Sequence, residues 1–392
     1  MVDKEQMEEK KKKEEEQEQV IVLTQPLSLE GGLAAEHLPP NVIQRVLSLF
    51  QSIHPGSDLT HFQLSPLFNM PKSQLQCYGE AVYCINEDIL SKCAQGKNSL
   101  ERFTSIVAWS ISTTRPVMFG LAPYNPILGE THHVSKGTLN ILLEQISHHP
   151  PVSALHATDA AHGIELIWCQ RPVPKFNGIS VDAVIDGKRL VKLLDHGETY
   201  EMNSPNLVIR LLPVPGTEWS GNVKIQCERS DLAADISYYR SQSFFGFGGK
   251  PRSVKGRIFD VNSLKTIYEL NGQWDGTVTL RDTSSGKSSV LYDAKEAISQ
   301  LKAPVIKDPK GVEPSESTSV WGELSQSILS RNWQKAREVK NEIEEKERIL
   351  TKERKSKGES WSPRYFTSSK TKEDRWECWP KQQSVPPGPL IV

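Results

Sequence analysis

A chain of 392 residues is compatible with two or three average domains, or with one large β-rich domain carrying helical flanks. With 47 Lys and Arg against 48 Asp and Glu, a formal net charge of -1, it has no global field to recruit nucleic acid or a strongly anionic surface, so any such partner needs a local patch. No apolar run approaches the ~20 residues that cross a bilayer, and six cysteines with neither a C-x-x-C pair nor a preceding signal peptide predict free thiols in a reduced cytosolic compartment.

Residues 1–19 are low in complexity and mixed in charge, which predicts a solvated tail without chemistry. The next segment, 20–38 (VIVLTQPLSLEGGLAAEHL), is apolar but broken by Pro26 and Gly31-Gly32. It reads either as a hinged lid or as an element packed permanently on the core. Residues 39–115 form a helical part: apolar positions recur at helical spacing at Val42, Val46, Leu49, Phe50 and Ile53, again from Lys72 to Cys93, and from Ser99 to Ser112.

The region 116–300 changes character. From Leu139 to Ala294 short β-prone runs such as GIELIWCQ, NVKIQC and GTVTL alternate with turn signals at Asp186-Gly187, Asn271-Gly272 and Ser285-Gly286. That much antiparallel strand predicts a sandwich or a barrel. A Pro-rich connector, KAPVIKDPKGVEPSEST, then leads into one helix over 320–356. Its apolar stripe is Ala336, Val339, Ile343 and Leu350, and Lys340, Glu344 and Arg348 follow one edge at i, i+4 and i+8. Residues 367–392 are Pro-rich and predict an extended surface tail.

The most informative stretch is EQISHHPPVSA, Glu144 to Ala154. Neighbouring side chains of a regular strand face opposite sides of the sheet. Pro150 and Pro151 cannot donate to a ladder and restrict the residues before them, so the strand ends or becomes an edge just after His149. His148 and His149 are then free either to converge on one ligand group, such as a phosphate, or to sit as partly exposed rings on an edge kink.

Glu130, His132 and His133 in ETHHV raise the question of a metal, but no H-E-x-x-H or finger spacing accompanies them. No G-x-S-x-G elbow is present, and GKS at Gly286 to Ser288 lacks the upstream glycine of a phosphate loop. The residues therefore predict no cofactor, no metal and no catalytic group. In SFFGFGGKPRSVKGR, Phe244, Phe245 and Phe247 stand beside Lys250 and Arg252. This suits either an aromatic-basic loop dipping into an anionic membrane or a strand followed by a glycine turn.

Taken together, EQISHHPPVSA, PYNPILGET (Pro123 to Thr131), GQWD (Gly272 to Asp275), the Lys-x-x-x-Glu-x-x-x-Arg helix and GESWSPRYF (Gly358 to Phe366) resemble the oxysterol-binding protein-related family, in the same order along the chain. The resemblance covers roughly Leu38 to Phe366 and is greatest to the short plant members that consist of the lipid-binding domain alone. It implies a β-rich α+β fold: a large incomplete antiparallel β-barrel around a lipid tunnel, with an N-terminal lid and helices and a C-terminal helical subdomain, over 20–366. It also implies a cytosolic protein, peripheral at membranes such as those of the endoplasmic reticulum and Golgi, that carries a sterol or another apolar lipid and exchanges it for phosphatidylinositol 4-phosphate.

Carried over to this chain, the resemblance assigns His148, His149, Asn125, Lys340, Glu344 and Arg348 to the phosphoinositide headgroup. One position departs from the family pattern: Ala122 stands where a lysine usually precedes Pro-x-Asn-Pro. A charged hydrogen bond is worth about 1.5–3 kcal/mol, so this loss predicts headgroup binding weakened about ten- to a hundredfold unless Arg115 or Lys136 compensates. Two other classes of function fit the histidines less directly. One is a histidine-dependent hydrolase or metalloenzyme, recognised by turnover or bound metal; the other is a contact-site scaffold with weak headgroup binding, whose recruitment would survive loss of both rings.

Overall fold

The computed structural model describes residues 21–29, 38, 40–85, 89–240, 252–298 and 301–392. The tail at 1–19, residues 20 and 30–37 of the lid segment, and Phe244, Phe245, Phe247 and Lys250 lie outside the described residues.

Sixteen of the described strands form one sheet. From Thr131–Lys136 to Ser288–Asp293 its pairs are antiparallel and mostly follow chain order, as a meander joined by short turns requires. The sheet curls into an incomplete barrel whose end strands, Ile21–Val22 and Ser288–Asp293, stand at opposite ends of the strand order. Of the sandwich and the barrel that the strands allow, the fold is the incomplete antiparallel barrel that the resemblance implies.

Two of the three expected turns are not turns. Gly187 lies inside the strand Ser180–Leu193 and Gly272 inside Thr266–Gln273. A Cβ would sit 1.8 Å from the Cys169 carbonyl oxygen at Gly187, and 2.2 Å from that of Thr277 at Gly272. These glycines serve close approach of strands, a role that a local turn signal cannot distinguish.

Among the described residues seven helices accompany the sheet: α1 (Val42–Phe50), α2 (Gln74–Tyr83), α3 (Ile89–Gln95), α4 (Ser99–Ser112), α5 (Ala294–Ile298), α6 (Ser317–Leu329) and α7 (Trp333–Lys357). A capping box starts α2, with the Ser73 N–H donating to Gln76 Oε1 at 2.8 Å, and Asn98 caps α4 by accepting from the Glu101 N–H at 2.9 Å. The apolar faces of α2–α4 fill the concave side of the sheet: Phe103, Ile106 and Trp109 belong to one buried cluster with Ile141, Leu143 and Trp168. Expected as one helix, residues 320–356 instead form α6 and α7, broken where Arg331 turns to φ 55° and Asn332 caps α7 through the Lys335 N–H.

The C-terminal tail is more than an extended cover. Phe366–Lys370 and Trp376–Pro380 make a hairpin, and Leu390–Ile391 joins the main sheet parallel to Thr131–Lys136. This folding back brings Cys378 against the strand Ile164–Phe176, where it is bonded to Cys169 with a Cα–Cα distance of 5.5 Å. The expectation of six free thiols therefore holds only for Cys77, Cys84, Cys93 and Cys227. The pairing spans 209 residues and leaves no pattern in the sequence.

Candidate headgroup site

A cavity of about 820 Å³ opens between the hairpin at 148–151, residues 123–128, residues 60–64 and α7. His148 and His149, Asn125, Lys340, Glu344 and Arg348 all line it. The histidine pair reaches it because the strand Leu139–Ser147 stops, and Ser147 pairs with Val152 across a four-residue turn. Freed from alternation, the two rings converge with centroids 4.4 Å apart. The His148 Nδ1–H donates to the Pro126 carbonyl at 2.9 Å, which fixes the tautomer and leaves Nε2 for a ligand.

Burial holds His148 below the usual imidazole pKa, against the Pro126 hydrogen bond and the Glu344 charge, and His61 adds to the depression. His149 is held down by burial and by its neighbours His148 and His61. The empty site thus favours neutral rings near neutral pH.

On α7 the i, i+4, i+8 spacing does what it predicts, presenting Lys340, Glu344 and Arg348 along one line. Lys340 is buried and donates to the Leu64 carbonyl and, at 2.8 Å, to Asn69 Oδ1. Burial lowers its pKa and Glu344 opposes this. Arg348 remains half exposed, bonded to Glu345 at 2.7 Å and reaching Glu344 at 3.5 Å. Lys352, Arg354 and Lys355 continue the cationic wall on later turns.

Asn125 is exposed at the rim of a loop that a buried carboxylate holds. Glu130 accepts from Ser73 Oγ, Ser317 Oγ (2.7 Å), Trp321 Nε1 (2.8 Å) and the Ile127 N–H (3.0 Å), which ties the loop to α2 and α6. Burial still pushes its pKa up to about 7. Its apparent metal partners are drawn elsewhere. His132 lies between Tyr83 and Glu316, and the His133 ring donates to the Pro386 carbonyl. Among the described residues no group of three or more His, Cys, Asp or Glu could hold a metal ion.

Ala122 occupies a short strand, Ala122–Tyr124, parallel to Asn69–Ser73. Its carbonyl accepts from Asn69 Nδ2 at 3.3 Å, so one asparagine bridges Ala122 and Lys340. The two possible substitutes for the missing lysine point away: Arg115 donates to the Cys84 carbonyl at 2.7 Å and Lys136 to that of Ile85. Neither lines the cavity. Arg252, the one described residue of the five named for the aromatic-basic loop, is engaged by Asp275 and lies over Trp274.

Sequence reasoning missed His61, whose ring is 4.4 Å from that of His149. It also missed Asn69 and Glu130 as the supports of the site. His61 follows no motif, and nothing in the stretch HPGSDLTH that it ends points to a ligand.

The oxysterol-binding protein family model matches residues 47–328. Oxysterol-binding protein-related proteins 4C and 4B of Arabidopsis thaliana are 48% and 49% identical over 374 residues, covering 95% of this chain and 98% and 97% of theirs. In structure, the chain is similar to the Osh1 ORD domain in complex with cholesterol (TM-score 0.68, 21% identity, 85% of each chain). It is also similar to the Osh3 ORD from Saccharomyces cerevisiae in complex with PI(4)P (TM-score 0.67, 19% identity, 93% of this chain and 95% of that one). The HHPP turn at the cavity, the charged line on α7 and these matches agree, and the chain belongs to the oxysterol-binding protein family.

Proposed function

We propose that this protein binds and transfers a sterol or another apolar lipid, exchanging it for phosphatidylinositol 4-phosphate, as a cytosolic protein that visits membranes. The observation that carries this reading is the convergence of His148, His149, Asn125, Lys340 and Arg348, from three separate segments, on one cavity. Solved relatives in complex with cholesterol and with PI(4)P supply the two ligand classes.

The physics suits exchange. Burying roughly 400 Å² of lipid gains about 10 kcal/mol relative to water at ~25 cal/mol/Å², but a bilayer offers nearly the same shelter. Net transfer of the tail is therefore close to neutral, and discrimination falls to the polar end. In this site Lys340 and Arg348 meet the phosphate, while the imidazoles supply N–H donors that impose little fixed charge on the empty cavity.

Residues 20–38 are the lid candidate, and of these Ile21 to Leu29 and Leu38 are described. Ile21–Val22 pairs with Val305–Ile306, and the Leu27 N–H donates at 3.3 Å to Glu80, itself paired with buried Lys72. Leu27 packs on Met70 and Leu121. Leu23 and Leu29 pack on the main buried cluster and the Leu23 N–H donates to the Pro304 carbonyl at 3.0 Å, so lid opening costs a short strand pair, two further hydrogen bonds and several apolar contacts.

The test is extraction from vesicles. His148→Ala with His149→Ala is expected to reduce phosphatidylinositol 4-phosphate extraction by at least about tenfold, since each lost hydrogen bond to a charged group is worth about 1.5–3 kcal/mol. Sterol extraction should remain. Equal loss of both ligands in a folded variant would remove the assignment, and mass spectrometry of co-purifying lipids identifies the apolar cargo.

A further inference from the structure

His61 sits on a firmly held loop, not a free one. Asp58 Oδ1 accepts from the Thr60 N–H and hydroxyl, and the Leu59 N–H donates to the Pro174 carbonyl at 3.0 Å. Phe62 stacks on Phe50 of α1 with centroids 5.9 Å apart. Between these anchors the His61 ring lies 4.4 Å from His149, which lies 4.4 Å from His148. Three imidazoles thus form a row along one wall of the cavity. Among the described residues only His148 Nδ1, of their six ring nitrogens, has a hydrogen-bond partner. The three rings line a cavity that α7 also lines, with Lys340, Glu344, Glu347 and Arg348.

We propose that His61 is a third headgroup residue, and that the row His61–His149–His148 is a proton-gated clamp for a phosphate monoester, taking the place of the fixed ammonium that Ala122 does not supply. This rests on the phosphoinositide reading of the cavity and adds to it a residue and a regulation.

The charged neighbours set the sign. From its own loop His61 faces Asp58, which is itself near Lys175; from the hairpin it faces His148 and His149; Lys340, Glu344, Glu347 and Arg348 of α7 line the same cavity. His148 and His149 are held below the usual imidazole pKa first by burial and then by neighbouring imidazoles, His61 among them, because like charges disfavour one another. A phosphate monoester brings about -1.5 to -2 charges at pH 7 and reverses that preference. Binding therefore draws a proton from solvent onto the row. Linkage then requires affinity to rise as pH falls from about 8 toward about 6.5, and to level off near pH 6, where the monoester loses its second charge. An apolar lipid without a charged head gains nothing from the proton.

The experiment measures binding of the full-length protein to vesicles with and without phosphatidylinositol 4-phosphate, and to free inositol 1,4-bisphosphate, across that pH range. Calorimetry in buffers of different ionisation enthalpy counts the protons taken up. The natural protein is expected to bind the phosphoinositide vesicles about three- to tenfold more tightly at pH 6.6 than at pH 7.8, with net proton uptake. His61→Ala should lower affinity at the acid end and flatten the slope, and His61→Lys should restore affinity while removing much of the pH dependence. Sterol extraction should stay unchanged in both.

Competition by the free headgroup with the same slope would support the clamp and assign recognition to the ester alone. A slope seen only with vesicles would support it with the ester read as part of a lipid. If His61→Ala matches the natural protein at every pH while His148→Ala with His149→Ala abolishes binding, the clamp is wrong and the phosphoinositide reading stands. If the double variant binds normally, both fall.

Discussion

The chain carries two His-His pairs, and they behave as opposites. His132 and His133 stand in the middle of the strand Thr131–Lys136, where alternation sends them to different faces. His132 is fully buried; its Nδ1–H donates to Glu316 at 2.7 Å and its Nε2 lies 3.0 Å from the Tyr83 hydroxyl. His133 turns the other way and donates to the Pro386 carbonyl at 2.8 Å. His148 and His149 are the same dipeptide, yet their rings touch and share one cavity. The difference lies in the two residues after each pair: Val134 and Ser135 continue the first strand, whereas Pro150 and Pro151 close the second into a hairpin. A pair of histidines becomes a site only where the backbone stops alternating, and elsewhere each ring becomes a structural link.

The largest effect should come from breaking the buried pair. His132→Ala leaves the Glu316 carboxylate, 2% exposed, without its ring partner. Leaving a buried carboxylate short of a hydrogen-bond donor costs about 1–3 kcal/mol or more, so a clear drop in unfolding midpoint is expected, with lipid binding falling only as the folded fraction falls. His133→Ala should cost less than about 1 kcal/mol, since one half-exposed hydrogen bond is lost. Denaturant unfolding of the two variants side by side checks this; equal losses would mean that the two faces of the strand are not distinct in energy.

A second change should convert one pair toward the other. Pro150→Ala with Pro151→Ala restores two N–H donors to the four-residue turn between Ser147 and Val152, and allows it to tighten to the two-residue loop that hairpins favour. Pairing would then extend to residue 148, placing the His148 ring on a strand face and the His149 ring in the loop, and the two rings would separate. Headgroup affinity is expected to fall about tenfold, the value of one charged hydrogen bond, with little change in stability. Retained affinity in a folded variant would show that the prolines do not hold the rings together.

The same contrast explains what could be read in the sequence. Lys340, Glu344 and Arg348 were legible because one helix carries them at a fixed spacing, and His148 and His149 because the adjacent prolines announce a break. Asn69 was not, since its bond to Lys340 crosses 271 residues and no local pattern records it. His61 belongs to the same class, joined to His149 by folding alone. The strands were legible from β-prone runs, which allowed a sandwich or a barrel, and only the family resemblance implied the barrel; Gly187 and Gly272 looked like turns because a glycine needed for close approach inside a strand is indistinguishable, in sequence, from one that makes a turn. The Cys169–Cys378 bond and the strand Leu390–Ile391 were hidden for the reason Asn69 was: their partners are distant in the chain and carry no composition signal.

The smallest expected effect tests whether fixed charge and imidazole charge are interchangeable at the cavity. Residues 122 and 124 share a face of their short strand, and Tyr124 lines the cavity, so Ala122→Lys should direct an ammonium toward the same space. Its gain should be about threefold, below the full value of a charged hydrogen bond, because Asn69 links position 122 to Lys340 and the two cations would repel. The gain should also depend on pH, larger near about pH 8, where the imidazole row is neutral, than near about pH 6.5, where a bound phosphate already holds a proton on it. Vesicle binding at both pH values measures this difference directly. A tenfold gain at both would show that the imidazoles never replaced the missing lysine, and no gain at either would place the phosphate beyond the reach of this strand.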